Sequence, residues 1–157
     1  KAGESILING AAGAVGSMAV QIARNLGLEV TGVASGKNEA LVRELGASHF
    51  IDYTLGRVFT PGLKYDLVMD TVGKLDKAQA KAALKPDGRF INVCGSDVAK
   101  DNRQQVQRLA QWFKAGSIRA VIDKVLPMEE AREAHRIADT GHKRGSVILM
   151  MDQEERI

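Results

Sequence analysis

Apolar positions along this chain follow two spacings that take turns. Short apolar runs of strand length stand at Ser5–Asn9, Glu29–Ala34, His49–Asp52, Tyr65–Asp70 and 89–93. Between them the spacing changes to that of an amphipathic helix. In the first such stretch Val15, Met18, Ala19, Ile22, Ala23 and Leu26 fall on one face, and Gly27 ends it. In the second, Asn38 stands where a cap belongs, Leu41, Val42 and Leu45 point inward, and Gly46 closes it. The stretch 54–64 predicts a loop or a short helix. Residues 75–84 predict a helix, and Pro86-Asp87-Gly88 a turn before the fifth strand. Residues 102–115 predict a helix with Val106, Leu109, Ala110 and Phe113 on its buried face. After Gly116 a strand is expected at 118–122. A helix is expected from Pro127 to about 140 with Ala131, Ala134 and Ala138 on one side, then a last strand at Ser146–Met150. Residues 152–156 are polar and expected to fray.

Regular alternation of strand and helix predicts an α/β fold with a doubly wound parallel sheet, three layers deep. One turn in that pattern carries chemistry. The first strand runs into Gly10-Ala11-Ala12-Gly13-Ala14-Val15-Gly16 and then into a helix. Small residues there let a backbone approach a pyrophosphate, and the helix aims its first N–H groups and partial positive charge at it. Read strictly, the motif is Ala11-x-Gly13-x-x-Gly16, with alanine at its first position. The plain alternative is a tight strand-to-helix turn that binds nothing.

The end of the second strand bears on which dinucleotide. An acid there would bind the two ribose hydroxyls of an NAD-type cofactor. This chain reads Gly32-Val33-Ala34-Ser35-Gly36-Lys37 at that place. A small hydroxyl and a nearby cation accept a 2′-phosphate, so NADP(H) is expected over NAD(H). The alternative is that Ser35 starts a turn and Lys37 is a solvated charge.

Composition narrows the field. With 157 residues, 45% hydrophobic and 26% charged, the chain suits one globular domain, or one domain and part of another. Its net charge of +3 is spread along the chain, which argues against a nucleic-acid partner. The single cysteine, Cys94, excludes an internal disulfide framework and a cysteine-rich zinc site. His49, His135 and His142 are scattered, so no metal site is expected. A reducing compartment, the cytoplasm, is expected. No apolar run has membrane-spanning length, and no membrane partner is expected. The chain opens four residues before its first strand, as a piece of a longer polypeptide would.

Four stretches together, GAAGAVGSMAVQIARNLGLEVTGVAS, LVRELGASHFIDYT, YDLVMDTVG and GHKRGSVIL, closely resemble the zinc-free, quinone oxidoreductase-like branch of the medium-chain dehydrogenase/reductase superfamily. The resemblance is nearest to its reticulon-interacting subgroup. It implies a Rossmann-type domain over 1–116. It also implies a segment, 117–151, that in relatives returns to a GroES-like catalytic domain missing from this chain, and a polar tail at 152–157. Ala12, Gly13, Ala14, Val15 and Gly16 then belong to the pyrophosphate turn. Ser35 and Lys37 form the 2′-phosphate pocket, and Tyr53 lies against the adenosine end. Val72, in Asp70-Thr71-Val72-Gly73, stands beside the nicotinamide ribose, and Gly95, in the loop after the fifth strand, beside the nicotinamide. Asp70 is expected to cap its turn and to have no catalytic part, and no catalytic residue is assigned.

The implied activity is hydride transfer from NADPH to a small-molecule quinone, enone or other carbonyl, in a dimer. A non-catalytic NADP(H) sensor or scaffold is the alternative. An adenosine-cofactor methyltransferase is a weaker one, since Ala34 stands where it would want an acid. Ala120 replaces a proline usual in relatives, and Ser146 a lysine. With the other domain missing, segment 117–151 is expected to pack unusually, to self-associate or to leave an apolar patch exposed.

Overall fold

The computed structural model describes residues 1–93 and 102–151. Five strands form one sheet: β1 (Ser5–Asn9), β2 (Glu29–Ala34), β3 (His49–Asp52), β4 (Tyr65–Asp70) and β5 (Leu84–Asn92). Their spatial order is β3-β2-β1-β4-β5, and every neighbouring pair is parallel. The order reverses beside β1, so the carboxyl ends of β1, β2 and β4 frame a crevice at the switch point. Helix α1 (Ala14–Asn25) returns the chain from β1 to β2, and α2 (Glu39–Glu44) from β2 to β3. Helix α3 (Lys77–Ala82) precedes β5.

Alternation along the central strands divides the core in two. Ile6 and Ile8 of β1 join Val30 and Ala34 of β2 under α1 and α2, with Val20 and Val42 from those helices. Leu7, Val33 and Val68 face the opposite way, against Ala80 and Ala83 at α3. Both faces are therefore apolar, which is why the strands read as continuous hydrophobic runs.

The five predicted strands are present, with one boundary moved. Strand β5 begins at Leu84, before the predicted turn. Leu84 pairs with Tyr65 and Arg89 with Leu67, so Pro86-Asp87-Gly88 is absorbed as a bulge within the strand. Leu84 thus leaves the helix predicted for 75–84, and α3 is shorter, opened by Asp76, whose carboxylate accepts the Gln79 N–H at 2.7 Å.

The buried face of α1 also differs from the predicted one. Gly16, Ser17, Val20, Gln21 and Ala23 are buried, while Val15 and Leu26 are exposed. A second packing partner accounts for the rotation. Residues 117–121 lie along α1, bound by Gln21 and Asn25 and buried through Ile118 and Val121.

Helix α4 (Arg103–Lys114) forms as predicted but buries none of its residues; Val106 is 64% exposed and Phe113 46%. Among the described residues no strand follows β5 in the sheet, so the apolar face of α4 has no sheet surface to cover. The strand predicted at 118–122 is displaced: β6 is Ile122–Pro127, and Pro127 ends it. A single 3-10 turn, Met128–Glu130, then leads into α5 (Ala131–Asp139), where Ala134 is buried and Ala138 exposed. Strand β7 (Ser146–Met150) pairs with β6 in a separate parallel ribbon. That ribbon leaves Ile122, Val125, Ile148 and Met150 exposed.

Candidate functional site

The first turn is shaped by close approach. Gly10 takes φ +79°, and a Cβ there would stand 2.6 Å from both Thr71 Oγ1 and Val72 Cγ2. A Cβ on Gly16 would stand 2.1 Å from the Gly10 carbonyl oxygen. The turn therefore admits no side chain at either place, and α1 begins hard against the end of β1. No side chain caps α1, so the N–H groups of its first turn face the crevice unopposed by a protein carboxylate.

The turn after β4 is built on Asp70. Its buried carboxylate accepts from Asn9 Nδ2 at 2.9 Å, from the Val72 N–H at 3.0 Å and from the Leu75 N–H at 2.9 Å. Burial works to raise its pKa. The Leu75 N–H, the Asn9 carboxamide and the N–H groups of Val72 and Gly73 outweigh that and hold it below the ordinary carboxylate value. Thr71 Oγ1 donates to the Asn9 carbonyl at 2.7 Å, which locks the turn to β1. Asp70 is thus the cap of its turn.

These turns frame a cleft of about 770 Å³. Ala12, Gly13, Ala14, Val15, Ser35, Tyr53 and Val72 all line it, seven of the residues singled out from the sequence. Gly16 lies behind the wall as a packing residue, and Lys37 is exposed and outside the lining. Gly95, with Cys94, lies outside the described residues. Asn9, Asn38, Thr71 and Lys74 join the lining, together with the loop Thr140, Gly141, His142 and Lys143. All of that loop but Thr140 belongs to GHKRGSVIL, which the resemblance assigned to the returning segment. The fold brings it to the cleft because the Gly145 N–H donates to the Ala12 carbonyl at 2.8 Å.

Two details at the end of β2 were not visible in the sequence. Asp52, opposite Ala34 in the β2–β3 register, brings an acid to a corner that reads as acid-free along β2. Its carboxylate accepts the Thr54 hydroxyl at 2.7 Å and the Thr54 N–H at 2.9 Å. Those bonds, led by the hydroxyl and joined by the Gly36 N–H, hold its pKa low against a small opposing effect of burial. It does not line the cleft. Asn38 stands at the start of α2 as predicted, but its side chain makes no capping bond. Its Nδ2 donates to Ser35 Oγ at 3.0 Å instead, and its Oδ1 is buried without a partner.

Among the described residues no three of His, Cys, Asp and Glu gather as metal ligands, and no helix is long and apolar enough to cross a membrane.

A parallel sheet with its crevice at the switch point, floored by a glycine turn and a helix N-terminus, defines a Rossmann-type nucleotide-binding domain. The zinc-binding dehydrogenase family profile matches residues 14–135. The chain belongs to that family, within the medium-chain dehydrogenase/reductase superfamily that its motifs resemble. It is 31% identical over 159 residues to the chloroplastic NADPH-dependent alkenal/one oxidoreductase of Arabidopsis thaliana, covering 94% of this chain and 41% of that protein. It is 28% identical to the mitochondrial NAD(P)H oxidoreductase RTN4IP1 of Danio rerio, covering 96% and 50%. The quinone oxidoreductase from Coxiella burnetii superposes with a TM-score of 0.81 at 26% identity, over 95% of this chain and 53% of that one. The chain thus spans about half the length of the relatives it matches.

Proposed function

We propose that this chain is the NADP(H)-binding domain of an oxidoreductase that transfers hydride from NADPH to a quinone, an enone or another carbonyl substrate. The observation that carries the reading is the cleft itself. Its floor is the turn after β1, closed to side chains at Gly10 and Gly16, and its β2 wall offers Ser35 and Asn38 where an NAD-type site offers an acid. The names of the relatives agree with this class of chemistry.

The reduced nicotinamide, when bound, supplies the hydride. The chain's own residues bind and orient. The backbone from Ala12 to Val15 and the start of α1 take the pyrophosphate. Ser35, with Lys37 nearby, takes the 2′-phosphate. Tyr53 covers the adenosine end. Val72, and Gly95 after β5, bound the nicotinamide end. No proton donor is assigned, and the second wall of the substrate cleft belongs to a domain outside this chain. A homodimer and the cytoplasm go with the reading.

Fluorescence titration of the chain with NADPH and with NADH tests it. Tight NADPH binding with weak NADH binding is expected. Equal affinity would remove the phosphate pocket, and no binding of either would overturn the assignment of the cleft.

A further inference from the structure

We infer that α4 is a docking surface for an anionic lipid bilayer, with its apolar stripe in the interface and its flanking cations on the headgroups. The inference is independent of the cofactor reading. The expectation of no membrane partner rested on the lack of an apolar run of spanning length. A helix that lies flat on a bilayer needs no such run.

Helix α4 is closed at both ends by its own chain. The Asn102 side chain accepts the N–H groups of Gln104 at 3.0 Å and Gln105 at 3.2 Å. At the other end the Gly116 N–H donates to the Phe113 carbonyl at 3.1 Å. Yet the helix has twelve residues and buries none of them. A helix that short is marginal in water unless one face is packed. Val106, Leu109, Ala110 and Phe113 make one stripe along it, and no element among the described residues covers that stripe.

Charge decides what kind of partner fits. Helix α4 carries three cations, Arg103, Arg108 and Lys114, and no acid. Arg103 and Lys114 border the stripe on the Ala110 side. Trp112 borders it on the Leu109 side, half-buried, with the Arg108 guanidinium 4.8 Å from its ring centre. The side opposite the stripe carries Gln104, Gln107 and Gln111. Apolar residues on one face, cations at its borders and a neutral polar back form the pattern of a helix that lies in a membrane interface. Long cationic side chains at the borders reach headgroup phosphates while their stems stay on the apolar side. A tryptophan at the border suits the headgroup level, whereas one that anchors a protein partner sits at the centre of its patch. A second copy fits poorly, because two α4 stripes packed together would bring Arg103 and Lys114 of each against those of the other with no acid on either helix to pair them.

The test mixes the full chain with vesicles of phosphatidylcholine alone, or with about one-third phosphatidylserine. Binding is read by co-sedimentation and by the emission of Trp112, the one tryptophan of the sequence. The wild type is expected to bind the phosphatidylserine vesicles about tenfold or more tightly than the neutral ones, to shift Trp112 emission to the blue, and to be released by salt. Arg103→Gln with Lys114→Gln is expected to weaken binding about tenfold or more, and Phe113→Ala about fivefold. Lys81→Gln removes the same charge from α3, on the sheet face opposite α1, and is expected to change binding less than about twofold. All four of these side chains are exposed, so melting temperatures should stay at the wild-type value. Equal binding to neutral vesicles, no binding to either kind, or a loss in Lys81→Gln equal to that of the double variant overturns the inference. Trp112 emission that shifts to the blue with protein concentration and no lipid would assign the stripe to a second copy, and a shift with poly-glutamate but not with vesicles to an acidic polypeptide. Either result overturns it as well.

Discussion

The side chain of Gln21 holds the backbone of Arg119 at two points, donating to its carbonyl at 3.0 Å and accepting its N–H at 2.8 Å. The two residues lie 98 positions apart, and Gln21 is buried. A buried carboxamide on a strand-like segment stands in for the strand partner that segment lacks. The bond explains why a polar residue occupies the buried face of α1. It also explains how residues 117–121 stay docked on this domain.

Gln21→Ala is therefore expected to destabilise the chain by about 1–3 kcal/mol, because it leaves a partly buried N–H and carbonyl of Arg119 without partners. The loss should be local first. Hydrogen exchange at Arg119 should accelerate before that of β1 and β4. An unchanged urea midpoint with unchanged protection at Arg119 would show that the clamp contributes nothing.

The glycine turn makes a graded prediction. A Cβ at Gly16 would fall 2.1 Å from the Gly10 carbonyl, whereas one at Gly13 would meet the same oxygen at 3.3 Å. Gly16→Ala should cost about 1–3 kcal/mol by overpacking and push α1 away from β1. Gly13→Ala asks a shift of only a few tenths of an ångström. Melting temperatures and NADPH titrations should rank Gly16→Ala well below Gly13→Ala. The reverse ranking would mean that Gly16 does not set the helix position.

The fold was legible where one physical signal dominated. The apolar runs of β1, β2 and β4 report burial on both faces, and the glycine turn reports a backbone close approach. Seven predicted residues converge on the cleft because they sit at the carboxyl ends of strands whose order is a rule of the fold. Most of the misses share one cause, a partner far along the chain. Polar Ser17 and Gln21 are buried because residues 117–121 arrive. Asn38 is the exception: it reads as a helix cap, but its amide turns back to Ser35, three residues away. Asp52 reaches the end of β2 only through sheet register. The apolar face of α4 is amphipathic by sequence, but the sheet ends at β5 among the described residues.

Asp70 makes the turn beside the cleft depend on one carboxylate. Asp70→Ala would leave Asn9 Nδ2 and the N–H groups of Val72 and Leu75 without their acceptor. Loss of such a buried network costs about 2–5 kcal/mol. Denaturation in urea should register it, and Val72 would no longer be fixed at the cleft. Stability within about 0.5 kcal/mol of wild type would remove Asp70 from the turn's support.

The last prediction concerns acid. Asp66 accepts from Lys85 Nζ at 2.7 Å and from the Ser5 N–H and hydroxyl, each at 2.8 Å. The bond from Lys85, then those from Ser5, holds its carboxyl well below the usual carboxylate range. An unfolded aspartate titrates near about 3.9. The stability Asp66 contributes is thus fully present above that value and is lost as pH falls toward the lower folded value, because the unfolded state binds its proton first. Ser5 opens β1 and Asp66 lies in β4, so the affected contact joins two central strands. Urea midpoints measured from about pH 6 down to about pH 2 should fall more steeply for the wild type than for Asp66→Asn, with the curves diverging below about pH 4. Parallel curves would assign the acid sensitivity of this domain to other carboxylates.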